Sequence, residues 1–187
     1  MIKELPFTLE NDLEREIASD PEWQEGVEWG EPRFGHWEGP VKYHIVDVLS
    51  NIETISHLES DTEERRKLRL IALIHDAFKY QVDEMKPKIG MNHHAHIARR
   101  FAERYIDDPE ILLIIETHDE AYNSWRLGHY KQRWQHAEER ADHLLERLGP
   151  SLPLYVRFFY ADSDTESKNP EPVAWFEQYL VRRGVAL

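Results

Sequence analysis

The sequence predicts an all-α protein built as a compact multi-helix bundle, and three observations indicate this fold class. Apolar residues recur at spacings of three and four over most of the chain, as on the buried face of a helix. No stretch of useful length alternates polar and apolar residues in the manner of a strand. Hydrophobic residues make up 41% of the 187 residues, so one continuous core can form, and we expect a single domain over residues 1–187.

The N-terminal part, residues 1–34, is predicted to hold one charged helix over Leu9–Ala18 followed by a loop, because Ser19–Pro40 follows neither period. The next segment carries the apolar stripe of a core-facing helix, namely Val41, Ile45, Val48, Leu49, Ile52 and Ile55. A cap sequence at Ser60–Glu63 then opens a helix whose apolar face includes His75. We therefore expect the His75 side chain to point inward.

The remaining helices are predicted from their caps and apolar faces. Asp108-Pro109 is a typical helix start, because Asp caps and Pro is tolerated at the first helical position, while Gly149-Pro150 is a typical helix end. The predicted helices are His94–Tyr105, Asp108–His118, Tyr130–Leu148, Leu152–Ala161 and a C-terminal helix that opens at Asn169-Pro170 within residues 163–187.

The composition excludes several classes of protein. A formal net charge of −13 repels phosphate backbones, which disfavours nucleic acid and favours a small molecule as the partner. The sequence contains no cysteine, which excludes disulfides and thiolate metal ligands. It shows neither the apolar stretch of a secretory signal nor the run of about 20 apolar residues that spans a membrane, so we expect a cytoplasmic protein.

Eleven histidines, several of them at or near predicted helix ends, indicate a metal site. Imidazole nitrogen and carboxylate oxygen suit divalent Mn, Fe, Co, Ni or Zn, and one carboxylate can bridge two ions. The adjacent pair His75-Asp76 is the centre of this interpretation. Successive helical residues diverge by about 100°, so both reach one site only where other helices surround it, as in a bundle.

In chain order these residues resemble the motif of the HD superfamily: a His, a His-Asp pair, optional further histidines and a final Asp. The segments VKYHIVDVL, LRLIALIHDAFK, NHHAHIARRFAERY, ILLIIETHDEAY and RFFYADSDT supply His44, His75, Asp76, His94, His118 and Asp162. The resemblance covers residues 35–162. The segment GHWEGPVKYH is also similar to the lead-in of the HD lobe of bacterial tRNA nucleotidyltransferases. Trp37 stands where those enzymes have Pro and their head domain is absent, so tRNA processing is not implied.

The resemblance implies an HD-domain bundle around one or two divalent ions. By analogy with the family, His44, His75, Asp76 and Asp162 would hold the first ion. Asp76 would bridge to a second ion held by His94 and His118. Family members that carry only the minimal motif bind one ion, so both numbers of ions are compatible with the resemblance.

Three neighbouring histidines compete for one ligand position. His94 lies three and four residues before the apolar Ile97 and Ala98, whereas His96 leads to charged residues on the polar face. This placement favours His94 over His93 and His96.

Lys79 lies four residues after His75, which on one helix would place its ammonium on the same face and within reach of an anion. In HD proteins with an HD-x-x-K motif this Lys often contacts substrate oxygens, so we predict that Lys79 binds substrate and that Asp76 and Lys79 act in catalysis. A solvated lysine is the alternative. HD nucleotidases of the 5'-deoxyribonucleotide type usually carry Glu here, which disfavours that activity.

Other side chains are weaker candidates. Arg126 is predicted to bind substrate, and Lys168 could add positive charge around a phosphate, although both residue types are common on surfaces. Asp119 could orient a metal-bound imidazole or simply be an exposed acid at a helix end. Five tryptophans could line a pocket or belong to the core: Trp23, Trp29, Trp37, Trp125 and Trp134.

The favoured function is a metal-dependent phosphohydrolase that acts on a small phosphorylated metabolite or nucleotide through a metal-activated water. An HD-type diiron oxygenase is an alternative, because the same ligands suit iron. A non-catalytic metal-dependent sensor domain is the other alternative. The substrate itself is left open, since specificity depends on the pocket rather than on the ligand set.

Overall fold

A computed structural model describes residues 4–32, 39–55, 62–165 and 168–185, and within these ranges the regular structure is helical without strands. The helices are α1 (Asp12–Ser19), α2 (Pro21–Glu28), α3 (Val41–Glu53), α4 (Glu63–Ile74), α5 (His94–Ala102), α6 (Pro109–Thr117), α7 (Glu120–Lys131), α8 (Trp134–Leu148), α9 (Leu152–Ser163) and α10 (Glu171–Arg182). Short 3-10 turns occupy Lys79–Gln81, Gly90–Asn92 and Gly149–Ser151. The predicted all-α fold class is confirmed. None of the helices in the described ranges combines the length and apolar character that a membrane crossing needs.

Helix α4 forms the centre of the core. Its residues 68–74 are all buried, which is typical of a helix that is covered on every side. Helices α3, α6 and α9 pack against it, and α3 also packs against α9. Each fully buried Leu or Ile in this core contributes about 1.5–3 kcal/mol of burial free energy. Helix α4 is therefore enclosed by three other helices.

Hydrogen bonds confirm the predicted start of α6 and place the start of α4 within the predicted cap sequence. The Asp108 carboxylate accepts from the backbone N–H groups of Glu110 (2.8 Å) and Ile111 (3.4 Å), so it caps α6. The Thr62 hydroxyl accepts from the Arg65 N–H at 3.2 Å and caps α4. The predicted cap residues Ser60 and Asp61 lie outside the described residues.

The prediction of a loop over Ser19–Pro40 is wrong in part, because Pro21–Glu28 forms α2. Asp20 caps this helix by accepting from the Glu22 N–H at 2.8 Å, and Pro21 occupies its first position. Trp23 and Val27, four residues apart, are buried, and the Trp23 indole N–H donates to the Leu73 carbonyl at 2.8 Å. The Asp-Pro start and this single apolar pair are the sequence signals of α2.

The prediction of one helix over Tyr130–Leu148 is wrong in part, because only Trp134–Leu148 forms one helix. Helix α7 runs through Tyr130 to Lys131 and ends where Gln132 adopts the left-handed conformation at φ 54°, and α8 begins at Trp134. The turn brings the Trp134 ring against Gly128, where an added Cβ would overlap the ring atoms. The absence of a side chain at Gly128 therefore permits the close approach of α7 and α8.

A buried ionic network attaches the N-terminal helix to the core. Arg69 of α4 donates to both oxygens of Glu14 in α1 at 3.0 Å, and both side chains are almost completely buried. Arg65 of α4 binds Glu10 and Glu53 at distances of 2.7 Å. Since α4 also carries His75 at its end, this network fixes α1 to the helix that forms the centre of the candidate site.

Candidate metal centre

The six predicted ligands come together at the ends of five helices. His44 lies in the first turn of α3, His75 caps the C-terminus of α4 with Asp76 directly after it, His94 begins α5, His118 caps the C-terminus of α6, and Asp162 lies in the last turn of α9. Five helices approach one point from different directions, so their side chains can meet there although they are far apart in the sequence. The bundle therefore assembles residues that are up to 118 positions apart.

His44, His75 and Asp162, here called the first triad, offer ligand atoms within 4.8 Å of one another. The His44 Nε2 atom lies 2.8 Å from Asp162 Oδ1 and 3.4 Å from His75 Nε2. The His75 Nε2 atom lies 3.5 Å from the same Asp162 oxygen. Both imidazoles are buried.

Asp76, His94 and His118, here called the second triad, form the other half of the cluster. The Nε2 atoms of His94 and His118 are 3.2 Å apart, and each lies 3.5 Å from Asp76 Oδ1. The second Asp76 oxygen, Oδ2, lies 3.7 Å from His44 Nε2 and 3.6 Å from His75 Nε2. The carboxylate of Asp76 therefore faces one pair of histidines with each of its oxygens.

Backbone carbonyls orient two of the imidazoles. The Nδ1 atom of His75 lies 3.0 Å from the Ala72 carbonyl, and Nδ1 of His118 lies 2.9 Å from the Ile115 carbonyl. A carbonyl accepts only from a protonated nitrogen, so each bond places a ring proton on Nδ1 and turns Nε2 toward the cluster. Asp119 is the candidate predicted to orient a metal-bound imidazole. For His118, the group that orients the ring is instead the Ile115 carbonyl.

The pKa values of His44, His94 and Asp76 match the protonation states of metal ligands. Burial, together with the Lys168 ammonium, lowers the pKa of His44 to about 4, and burial together with His118 lowers that of His94 to about 3. Although burial alone would raise the pKa of Asp76, the Lys79 ammonium and the His75 ring hold it well below its usual range. Two neutral imidazoles and an ionised carboxylate are the forms that bind divalent ions.

His118 differs from its partner. Burial disfavours its charged form, but Asp76 and Asp119 raise the pKa of His118 to about 9. In the absence of an ion, a proton on His118 thus supplies positive charge beside Asp76 Oδ1. A metal ion at the second triad would replace that proton.

Two lysines lie at the edge of the cluster. The Lys79 ammonium donates to Asp76 Oδ2, and the Lys168 ammonium donates to Asp162 Oδ1 at 2.9 Å. The prediction that Lys79 shares a helix face with His75 is wrong, because α4 ends at Ile74 and Lys79 begins a 3-10 turn. The turn nevertheless brings its ammonium to the cluster.

The three competing histidines make different contacts. His94 belongs to the second triad, whereas His96 lies 3.7 Å from Glu116 with 39% of its side chain exposed. His93 caps α5 by accepting from the Ala95 N–H, and its Nε2 atom lies 3.4 Å from Asp119 Oδ2. His93, His94 and Asp119 thus form a further group at the border of the second triad, which the sequence pattern did not indicate.

The other candidates lie outside this cluster. Arg126 is exposed on α7, with its guanidinium 5.6 Å from the centre of the Tyr122 ring. It is seven residues beyond Asp119, or roughly 10 Å along the helix axis. Trp23 and Trp125 are buried and Trp29 and Trp134 are partly exposed, while Trp37 and most of the GHWEGP lead-in lie outside the described residues.

The donor atoms fit one or two divalent ions. Two ligand atoms about 2.1 Å from one ion, at coordination angles of 90–110°, lie roughly 3.0–3.4 Å apart, and most spacings within the triads are close to this range. Asp76 Oδ1 is buried and has no hydrogen-bond partner among the described residues. A buried, charged oxygen without a partner is costly unless a cation binds it. The cluster therefore has the chemistry and the spacing of a metal site.

A family comparison agrees with this geometry. The family model described as HD domain matches residues 41–151, which is more than half of the chain. The match includes five of the six clustered side chains and ends before Asp162, whose position beside His44 comes from the packing of α9 against α3. No curated protein and no solved structure gives a significant match.

Proposed function

Because this chain belongs to the HD domain family, we propose that it is a metal-dependent phosphohydrolase that acts on a small phosphorylated metabolite or nucleotide. The observation that carries the proposal is the position of Asp76, whose two oxygens face two separate histidine pairs at 3.5–3.7 Å. A carboxylate in this position can bridge two ions. Paired ions are a common solution for hydrolysis of phosphoesters.

The six clustered side chains would hold the ions, with Asp76 as the shared ligand. When bound, the ions neutralise phosphoryl oxygens and lower the pKa of a water molecule that attacks phosphorus. The carbonyls of Ala72 and Ile115 would orient His75 and His118 so that Nε2 of each ring faces the ions. Burial of the His44 and His75 rings would exclude bulk water from the inner side of the site.

Lys79 would bind the anionic substrate. Its side chain is 23% exposed, so the ammonium lies between the buried Asp76 carboxylate and solvent. An ion on Asp76 would take up the negative charge that now holds Lys79. The ammonium could then donate to a phosphoryl oxygen. Arg126 would contribute only to a substrate long enough to extend along α7.

We propose that the functional unit extends beyond residues 41–151 to include Asp162 and the N-terminal helices within a single domain. The contact of Asp162 with His44 supports the C-terminal extension, and the buried pair of Arg69 with Glu14 supports the N-terminal one. The net charge of −13 supports a small substrate, since a nucleic acid would be repelled.

A metal-resolved activity screen tests the proposal. Metal-free protein is supplied with Mn²⁺, Co²⁺, Ni²⁺, Zn²⁺ or Fe²⁺ and assayed for phosphate release from an aryl phosphate and from a panel of nucleotides and phosphorylated metabolites. We expect hydrolysis that requires a metal and is abolished in Asp76→Ala. The matched control is His143→Ala, which removes an imidazole whose side chain is 78% exposed and should retain wild-type rates.

Two results would contradict the proposal. One is a protein that binds metal fully yet releases no phosphate from any member of the panel. The other is activity that survives in Asp76→Ala. Oxygen consumption that depends on iron, without phosphate release, would favour the oxygenase instead.

A further inference from the structure

Lys168 is a cationic side chain at the edge of the cluster, and it lies outside the region that the family model matches. It lies between α9 and α10, six residues after Asp162 and beyond residues 41–151. Its ammonium donates to Asp162 Oδ1 at 2.9 Å and to the Asp162 carbonyl at 2.5 Å. The side chain is 22% exposed, so it connects the cluster with solvent.

Lys168 and Lys79 occupy equivalent positions around one histidine pair. Lys79 binds Asp76 Oδ2, which lies 3.7 Å from His44 and 3.6 Å from His75. Lys168 binds Asp162 Oδ1, which lies 2.8 Å and 3.5 Å from the same two rings. Each ammonium thus binds a carboxylate oxygen that would face the first ion.

An ion and an ammonium compete for such an oxygen. A divalent ion held by the first triad would draw the negative charge of both carboxylates toward itself and would weaken their attraction for the lysines. The two ammonium groups, whose side chains are 23% and 22% exposed, would then have donors available for an anion at the edge of the cluster. An anion bound there would satisfy both.

We propose that Lys168 is a substrate-binding residue that forms with Lys79 a two-ammonium clamp, selecting a terminal dianionic phosphoryl group over a monoanionic phosphodiester. This assignment rests on the proposed phosphohydrolase function. A phosphomonoester carries close to two negative charges and three free oxygens near neutral pH. A diester has one charge and two free oxygens, so it leaves one ammonium without a charged partner.

Calorimetry on wild type and Lys168→Met tests the clamp in two steps. Mn²⁺ is titrated into metal-free protein, and inorganic phosphate or dimethyl phosphate is then titrated into the Mn²⁺-loaded protein. We expect Lys168→Met to bind Mn²⁺ at least as tightly as wild type, because a competing cation is removed. We expect its affinity for inorganic phosphate to fall about tenfold or more, with a smaller loss for dimethyl phosphate.

Lys168→Arg should recover part of the phosphate affinity, since it restores a cation. The control is Lys88→Met, which removes an exposed lysine paired with Glu84 and should change neither affinity. Weaker Mn²⁺ binding together with weaker phosphate binding would overturn the clamp in favour of a structural role for Lys168. Unchanged phosphate affinity would overturn it as well.

Hydrolysis separates failure of the clamp from failure of the function. If wild type cleaves monoesters and Lys168→Met keeps the same ratio of monoester to diester kcat/KM, the clamp is wrong and the function stands. If wild type cleaves neither ester but Lys168→Met loses phosphate affinity selectively, the function is wrong and the anion site stands.

Discussion

Removal of the His118 imidazole should halve the stabilisation that divalent ions confer on the protein. The variant His118→Ala leaves the second triad with Asp76 and His94, which are too few ligands for an ion, and leaves the first triad intact. At a free ion concentration 100 times Kd, each site adds about 2.7 kcal/mol to the free energy of unfolding. Two sites should therefore stabilise wild type by about 5.4 kcal/mol and His118→Ala by about 2.7 kcal/mol.

Thermal unfolding with and without Mn²⁺ measures this difference. For a domain of this length 1 kcal/mol corresponds to roughly 2–4 °C, so Tm should rise by roughly 11–22 °C in wild type and half as much in His118→Ala. Each variant is compared with its own metal-free form, so the cost of the truncated core side chain cancels. His143→Ala should match wild type. Equal metal-induced shifts in wild type and His118→Ala would refute a second ion held by His118.

Three further predictions concern the fold that supports the site. Arg69→Leu should lower the free energy of unfolding by about 3–5 kcal/mol in urea, because the buried Glu14 carboxylate loses its only guanidinium partner among the described residues and keeps hydrogen bonds only to neutral groups; a loss below 1 kcal/mol would contradict the buried network. Gly128→Ala should cost about 1–3 kcal/mol, since its Cβ meets the Trp134 ring, and an unchanged denaturation midpoint would contradict that packing. Asp108→Ala should cost about 1 kcal/mol through loss of the α6 cap, while Asp108→Asn keeps most of the cap; equal losses would argue against it.

Local sequence signals account for most of the helices. The buried run before His75, the Asp108-Pro109 start and the Gly149-Pro150 end act within a few residues, and the helices they predict are present. The inward position of His75 follows from the same periodicity, and the structure confirms it. The sequence pattern is sufficient for these features because apolar spacing and cap residues lie within one helix and its ends.

Other features depend on contacts that no local pattern carries. Gln132 takes a left-handed conformation to end α7, although a residue of this type gives no signal for a turn. The 2.8 Å approach of His44 to Asp162 comes from the packing of α3 against α9. Lys79 reaches Asp76 through a turn after α4 rather than along a helix face. Its ammonium therefore lies near the metal-ligand cluster as predicted, but the turn and not the helix places it there.

The central claim is that Asp76 lies between two ion positions, and crystals soaked in Mn²⁺ test it most directly by anomalous scattering. Two anomalous peaks per chain are expected, one at the first triad and one at the second, with an Asp76 oxygen beside each. Saturating Mn²⁺ that produces a single peak, or a peak between His93 and Asp119 in place of the second triad, would contradict the account.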